Sequence, residues 1–190
     1  MQMQKLLYAS TNGYPTGLVN FLGISLMTAP GKIVEWSSRE NSLPMVTIGA
    51  RPISNEATNA LAAIFAPGFD PSAEVILPME AQSSVTATNQ TQARIISRRH
   101  TASNIDLEIA AEQPSLVVVA QSFYNSWRAT VDGRSVPLWR ANFAFQAFEV
   151  PAGQHQVRLV YRDWRFYLGA VISVGALCFC LVNYFRKSRS

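Results

Sequence analysis

The sequence is short of the residues on which most catalytic and metal sites depend. Its 190 residues include only two cysteines and two histidines, and neither histidine has a second ligand at a spacing that would hold a metal ion. Two cysteines are also too few for a disulfide-rich small domain. No glycine-rich phosphate loop and no G-x-S-x-G motif occurs, and the scattered acids of residues 1–92 form no pair suited to acid–base chemistry. The sequence therefore predicts no catalytic residue, no metal and no cofactor.

Charge is scarce and unevenly distributed. Charged residues make up 15% of the chain, whereas an average soluble domain carries about 25%. Residues 1–92 have a net charge of −2, residues 93–165 of +3 and residues 166–190 of +3, which sum to the +4 of the whole chain. The basic residues form neither a continuous stripe nor a recognised nucleic-acid-binding motif. We therefore expect no nucleic-acid partner.

Residues 166–185 form a run of twenty without a single charge. At about 1.5 Å per residue, a helix of this length spans the roughly 30 Å hydrocarbon core of a bilayer. Aromatic side chains lie at both ends, as is typical of membrane interfaces, and basic residues follow. The pattern predicts one transmembrane helix over residues 164–185, a basic tail over residues 186–190 and the lipid bilayer as a partner. A buried helix of a soluble core is the alternative.

Small side chains recur along one face of this predicted helix. They stand at i, i+4, i+7 and i+11, which places them in one stripe, and they are Gly169, Ser173, Ala176 and Cys180. Helices in lipid associate through close packing, which small residues permit. We expect this stripe to be a helix-packing face. The alternative is the ordinary frequency of small residues in membrane helices.

Residues 93–163 show the pattern of short antiparallel strands. Apolar and polar residues alternate over residues 104–110 and 155–161, as in half-buried strands, and residues 115–120 form an apolar run typical of a central strand. Asp132-Gly133 follows an alternating run and is a strong hairpin turn. The spacing of the turns predicts a mainly β fold with an antiparallel β-sandwich over this region.

Residues 1–92 are less regular and predict a smaller N-terminal α+β region. Residues 44–49 and 74–77 have the composition of strands. Residues 55–65 predict a short helix with Ser54 as its N-cap. Residues 82–92 are rich in Ser, Thr, Gln and Asn and predict a flexible connection to the sandwich.

Four residues of the sandwich are candidates for binding a ligand, and they are Trp127, Trp139, Arg140 and Asn142. Aromatic side chains at these strand positions are suited to packing against a sugar, although core packing explains the same spacing. The cluster Arg98-Arg99-His100 is suited to phosphate, with a solvated strand end as the simpler interpretation.

Several short segments of the second half of the chain resemble one family in sequence and in order. They are residues 122–127 (SFYNSW), 129–133 (ATVDG), 140–145 (RANFAF), 150–155 (VPAGQH), 161–162 (YR) and 166–169 (FYLG). Upstream, the same order continues with residues 21–24 (FLGI), 39–44 (RENSLP) and 69–75 (FDPSAEV). Over most of its length the chain thus resembles the C-terminal part of YfhO-type bacterial membrane proteins.

This resemblance implies a polytopic membrane protein similar to GT-C glycosyltransferases, which use lipid-linked sugar donors. Such proteins are implicated in glycosylating cell-envelope polymers, with catalytic acids expected between early membrane helices that this sequence does not contain. The chain would then hold a non-catalytic extracytoplasmic domain and the last helix, with a cytoplasmic C-terminus. Its implied partners are upstream membrane helices of the same or a split protein, and a lipid-linked sugar or envelope polymer.

The first residues of the chain favour the hypothesis that it is a fragment. Residues 1–10 lack the apolar segment of a signal peptide, so a domain preceding one C-terminal helix has no evident route across a membrane. Two other hypotheses stay open. One is a tail-anchored cytoplasmic adaptor whose sandwich binds a protein, and the other is a membrane-tethered carbohydrate-binding module.

Overall fold

The computed structural model describes residues 16–28, 35–56, 59–66 and 68–187, in which strands predominate. The N-terminal elements are α1 (Thr16–Phe21), β1 (Leu26–Thr28), β2 (Trp36–Ser38), β3 (Val46–Ile48), β4 (Arg51–Asn55), α2 (Ala60–Ile64), β5 (Glu74–Pro78) and a 3-10 turn (Met79–Ala81). The next strands are β6 (Ala93–His100), β7 (Asn104–Ala111), β8 (Ser115–Val119), β9 (Trp127–Val131) and β10 (Arg134–Val136). Strands β11 (Trp139–Ala141), β12 (Phe145–Val150) and β13 (Gly153–Tyr161) precede helix α3 (Trp164–Lys187).

Five antiparallel strands form the first sheet, in the order β10-β9-β13-β7-β6. Side chains in β7 alternate strictly between buried and half-buried, because successive residues of a strand point to opposite faces. Ile105, Leu107 and Ile109 face the core, while Asp106 and Glu108 lie on the other face. The alternation predicted for residues 104–110 is confirmed.

The second sheet has the order β11-β12-β8-β3 and packs face to face on the first. Strand β8 lies inside it and is buried along its whole length. Val117 and Val119 join the core between the sheets, whereas Leu116 and Val118 pack into a second core on the opposite face. The continuous apolar run therefore forms a central strand, as predicted, and the mainly antiparallel β architecture is confirmed.

The N-terminal region supplies part of the sandwich and covers its second sheet. Strand β3 pairs with β8, and strands β4 and β5 form a parallel pair. Val75 and Leu77 of β5 lie in the second core with Leu116. The strands predicted over residues 44–49 and 74–77 are thus present, and β3 links the first 92 residues to the later ones through main-chain hydrogen bonds.

The helix predicted over residues 55–65 is shorter than expected, and its predicted cap is wrong. Helix α2 spans Ala60–Ile64, with Asn59 at the N-cap position. Ser54 lies in β4 opposite Leu77 of β5. Its main chain follows the strand register, which keeps it out of the helix that its side chain is suited to begin.

Residues 82–92, predicted as a flexible connection, contain no strand but are bonded to the sandwich. The N–H groups of Thr86 and Ala87 donate to Glu149 Oε1 at 2.9 and 2.6 Å. The Thr91 N–H donates to the Gly49 carbonyl at 2.9 Å. Gly49 has a φ of +89°, and a Cβ there would collide with the Thr91 carbonyl. The prediction of a flexible connection is therefore wrong. It relied on the polar composition of the segment, which does not reveal these hydrogen bonds.

Helix α3 begins directly after the sandwich. Arg162 and Asp163 alone separate it from β13, and Asp163 Oδ1 accepts the Arg165 N–H at 3.1 Å, as an N-cap does. The segment Trp164–Leu181 is apolar and fully unburied, and within the described part of the chain it is the one helix that could cross a membrane. This agrees with the membrane span predicted over residues 164–185.

Asp132-Gly133 closes a two-residue hairpin between β9 and β10, as predicted. Arg134 pairs with Val131, and the turn residues have φ values of +50° and +78°. A Cβ at Gly133 would meet no atom within 4 Å. This position therefore requires glycine because of its positive φ and not because of crowding.

We predict that Gly133→Val lowers the free energy of unfolding by about 1–2 kcal/mol, because a β-branched residue is strained at positive φ. Denaturant unfolding of the full chain, followed by tryptophan fluorescence, measures the change. Gly68→Val is the matched control, since Gly68 is also in open space without a positive φ. Equal stability of the two variants would contradict the conformational argument.

Candidate functional site

A concave surface, which we call the distal cleft, lies at the end of the sandwich remote from α3. Strand β13 starts at this end with Gly153 and reaches Tyr161, two residues before the helix. At about 3.3 Å per residue this places roughly 26 Å between the cleft and the membrane helix. The cleft has a volume of ≈ 640 Å³ and is lined by Ser84, Thr86, Pro114, Val131, Asp132, Arg134, Val136, Pro137, Trp139, Glu149, Pro151 and His155.

Asp132 and His155 form an ion pair on one wall of the distal cleft. His155 Nδ1 lies 2.6 Å from Asp132 Oδ2, and Asp132 Oδ1 accepts the Gln156 N–H at 2.8 Å. The hydrogen bond that His155 donates to Asp132 raises the pKa of His155 above its ordinary value, against the opposing effect of burial. The same bond, followed by that from Gln156, lowers the pKa of Asp132. The pair ties the hairpin turn to the start of β13.

Glu149 lies on another wall, and its carboxylate is occupied by the main chain. Oε1 accepts hydrogen bonds from the Thr86 and Ala87 N–H groups and from the Thr86 hydroxyl, at 2.6 to 3.1 Å. Both acids of the cleft therefore hold loops in place.

The four predicted ligand-binding residues lie in different parts of the structure. Trp139 lines the distal cleft. Arg140, its neighbour on β11, lines a separate small pocket with Phe143, since adjacent strand residues point to opposite faces. Trp127 is 4% exposed and packs edge-on against Tyr161, with ring centroids 5.5 Å apart. Asn142 is buried in the turn that follows β11.

Asn142 holds the turn between β11 and β12 against β5. Its Oδ1 accepts the Ile76 N–H at 2.7 Å, and its own N–H donates to the Ile76 carbonyl at 2.8 Å. Asn142 and Phe143 have φ values of +45° and +69°, a conformation that is costly for residues other than glycine. These two bonds offset that cost and set Phe143 beside Arg140.

Sequence reasoning missed two polar side chains, one in the second sheet and one in the loop after β8. Gln146 is fully buried and lies opposite Arg140 in the sheet, and Gln121 follows β8. Gln121 Oε1, Arg140 Nε and Gln146 Oε1 are buried and have no hydrogen-bond partner among the described residues. The sequence offered one clue. Gln146, Phe148 and Val150 are two residues apart along β12 and therefore point to the same face, so the pattern places a polar side chain beside core residues.

Arg98-Arg99-His100 forms the exposed end of β6. Arg99 pairs in register with Asp106, whose carboxylate accepts a hydrogen bond from Arg158 Nε at 2.7 Å. The three residues lie on an edge strand beside this ion pair.

Comparison with known families adds a finding about the whole unit. The family model described as bacterial membrane protein YfhO matches residues 78–173, which is just over half of the chain. The chain belongs to the YfhO family. The matched part begins at the last residue of β5 and ends inside α3, so it includes every residue that lines the distal cleft and the helix junction. No curated protein and no solved structure matches the chain.

The YfhO match also includes the first half of the small-residue stripe. The helix residues Trp164–Leu181 are unburied, and a Cβ built on Gly169 meets no atom within 4 Å. The stripe of Gly169, Ser173, Ala176 and Cys180 is therefore uncovered by the described residues of this chain.

We predict that the Asp132–His155 pair makes stability depend on pH. Because the pKa of His155 is raised in the folded protein, the protonated imidazole contributes to folding stability. This contribution is complete below pH 6.5, the ordinary pKa of histidine, and is lost as the pH rises through the raised pKa. The lowered pKa of Asp132 likewise gives a contribution to folding stability, which is complete above pH 3.8 and is lost at more acidic pH. The melting temperature should therefore fall as the pH rises above 6.5.

Asp132→Asn should flatten this fall, because asparagine fits the turn and retains the bond to Gln156 but cannot pair with a charged imidazole. Thermal unfolding of the full chain at several pH values measures the slope. His100→Gln, which removes the other histidine, is the control. An unchanged slope in Asp132→Asn would show that the pair does not link stability to pH.

Proposed function

We propose that this chain is the extracytoplasmic C-terminal domain and last membrane helix of a YfhO-type polytopic protein that glycosylates cell-envelope polymers from a lipid-linked sugar donor. The single observation that carries the proposal is the family match, which runs from the sandwich across the junction into α3. The sandwich and the helix thus belong to one family unit. Within it we assign residues 1–92 to an N-terminal region, residues 93–163 to the sandwich, residues 164–185 to the span and residues 186–190 to a cytoplasmic tail.

In this proposal the domain supports sugar transfer and does not perform it. Its cleft acids are held by other groups, with Asp132 bonded to His155 and Glu149 to main-chain N–H groups. No group of three His, Cys, Asp or Glu side chains suited to a metal ion occurs among the described residues. The catalytic acids would lie in the membrane-embedded part of the same or a split protein, and the domain would present or bind the sugar or polymer.

A membrane-tethered or tail-anchored binding module is the second candidate function. It is favoured by the distal cleft, whose ≈ 640 Å³ fall within the usual size of small-molecule sites. Trp139 and the paired polar side chains give that cleft an apolar wall and hydrogen-bonding groups. The side of the membrane on which the domain lies separates a tail-anchored module from the extracytoplasmic proposal.

We predict that a cysteine in place of Ser83, which is exposed, reacts with a membrane-impermeant maleimide on intact cells. Cys178 and Cys180 are first changed to Ala. Ser190→Cys in the same background is the control and should react only after permeabilisation. Labelling of Ser83→Cys only after permeabilisation would place the domain in the cytoplasm and favour the tail-anchored module.

The small-residue stripe provides a second support for a polytopic partner. Any apolar helix of this length anchors a domain, whereas close helix packing specifically favours small side chains on one face. We assign this face to contact with the upstream membrane helices. The assignment agrees with the absence of any atom of the described chain near the Cβ position of Gly169.

We predict that Gly169→Leu combined with Ser173→Leu leaves the chain in the membrane but lowers both its co-purification with the upstream helices and the sugar content of the envelope polymer. Leucine keeps the helix apolar while preventing close approach. Val171→Leu with Val174→Leu, on the opposite side of the helix, is the matched control. Equal behaviour of the two double variants would mean that the helix is only an anchor.

A further inference from the structure

We infer that the end of the five-stranded sheet next to α3 binds the phosphate groups of anionic phospholipids in the bilayer that α3 spans. We call this end the proximal basic surface, and its arginines are Arg98, Arg99, Arg128, Arg158, Arg162 and Arg165. The inference goes beyond the proposed function, because it requires only that α3 lies in a membrane and holds for either side. It gives a role to the Arg98-Arg99-His100 cluster, which the proposed function leaves unused.

The sheet topology brings these arginines to one end of the domain. Only two residues separate the end of β13 from α3. Strand β7 is antiparallel to β13 and begins beside its last residues, with Asn104 opposite Val160. Strand β6 is antiparallel to β7 and therefore ends here, with Arg99 opposite Asp106. Strand β9 begins here as well, with Arg128 opposite Val160.

Three of the arginines share the outer face of the sheet. Arg158 pairs with Asp106 on one side and with Thr130 on the other, and directly paired residues of neighbouring strands lie on the same face. Arg99 is the other cross-strand partner of Asp106. Arg128 lies two residues before Thr130 on β9 and therefore points to the same face. Because all three arginines are exposed, they form one positively charged surface in contact with solvent.

The protein neutralises little of this charge. Arg158 Nε donates to Asp106 Oδ1 at 2.7 Å, whereas the other five arginines form no ion pair with a carboxylate of the described residues. Asp163 is the second acid at this end, and its carboxylate accepts the main-chain N–H of Arg165. Six arginines therefore stand beside two acids, and the surface has an excess of positive charge.

The opposite end of the same sheet has no such excess. Its arginines and acids are equal in number, and they are Arg94, Arg134, Glu112 and Asp132. The positive charge is thus concentrated at the end that the helix holds against the membrane. Charge of this sign, next to the bilayer, is complementary to a negatively charged lipid surface.

Two turns of the sheet are bonded to the residues that precede α3. The Ser103 carbonyl, in the turn between β6 and β7, accepts the Tyr161 N–H at 2.8 Å. The Ser126 carbonyl, before β9, accepts the Arg162 N–H at 2.9 Å. Exposed aromatic side chains of the kind found at membrane interfaces lie in the same part of the chain, and they are Tyr124, Tyr161 and Trp164. The surface therefore adjoins the layer of lipid headgroups.

The distances are short compared with the reach of the charge on a membrane. Arg128 lies beside Val160, two residues before Arg162, and Arg158 lies four residues before it. At about 3.3 Å per residue, these positions are no more than roughly 7 and 13 Å from Arg162. The field of an anionic surface decays over about 10 Å at 0.1 M salt, so it reaches the whole surface.

The chemistry of the side chains selects the ligand. A planar guanidinium group binds phosphate through two parallel hydrogen bonds. Phosphate is present in every phospholipid, but the choline group of phosphatidylcholine cancels its charge. The positive excess of the surface therefore favours lipids with a net negative charge, such as phosphatidylglycerol.

The test compares amide hydrogen exchange of the full chain in two kinds of nanodisc, one of phosphatidylcholine alone and one with an equal part of phosphatidylglycerol. We expect the anionic lipid to slow exchange about threefold or more in residues 98–103 and 124–128, where the lipid headgroups are bound. Exchange in residues 110–114 and 132–135, at the opposite end, should not change. High salt should remove the difference between the two lipids, because it screens exposed charges.

Arg99→Gln combined with Arg128→Gln should abolish the difference between the two lipids, since it removes two charges from the surface and leaves α3 intact. Arg94→Gln with Arg134→Gln is the matched control, because it removes the same charge from exposed positions at the opposite end, and it should keep the difference. Arg99→Lys with Arg128→Lys preserves the charge and should keep more of the difference than the glutamine pair. Unchanged exchange of the buried strand β8 in each variant shows that the sandwich is folded.

Equal exchange in the two lipids would overturn the inference, and so would equal behaviour of the two glutamine pairs. Slower exchange on addition of soluble polyphosphate, without any effect of phosphatidylglycerol, would assign the surface to a soluble polyanion and would also overturn it. The side of the membrane does not enter these measurements. Maleimide labelling of Ser83→Cys therefore tests the proposed function separately.

Discussion

Strand β8 must be enclosed on both faces, and the arrangement of the whole domain follows from that requirement. Its alternating side chains enter two different cores, with Val117 on one side and Leu116 on the other. The five-stranded sheet covers the first face. The second needs another layer, which β5 and the segment over residues 82–92 provide. Burial of this kind contributes about 25 cal/mol per Å² of apolar surface, which explains why the irregular N-terminal region is bonded to the sandwich at Gly49, Thr91 and Glu149.

The charged groups at the distal end also hold segments of the chain against the sandwich. Asp132 and Glu149 are the kind of acids that would attract attention in a search for catalysts, yet each compensates main-chain donors or an imidazole. They close loops over the end of the two cores. Arg140 Nε and Gln146 Oε1 differ, because both are buried and have no hydrogen-bond partner among the described residues.

The sequence predicted the features that depend on residues close together in the chain, and it did not predict those that depend on residues far apart. The Asp132-Gly133 turn, the apolar run of β8 and the helix of residues 164–185 are each set by neighbouring residues, and each was predicted correctly. Ser54 was misplaced because pairing of β4 with β5, more than 20 residues away, outweighs its capping tendency. The buried polar atoms of Gln121 and Gln146 were not predicted, because their burial depends on packing between segments that are distant in sequence.

The junction between β13 and α3 has a mechanical consequence. A strand that is paired on both sides, with β7 and β9, continues into the helix after Arg162 and Asp163, and both ends of this connection are held by hydrogen bonds. Little chain is left in which a change of angle could be absorbed. The membrane helix is therefore joined by two residues to the strand that runs through the first sheet to the distal cleft.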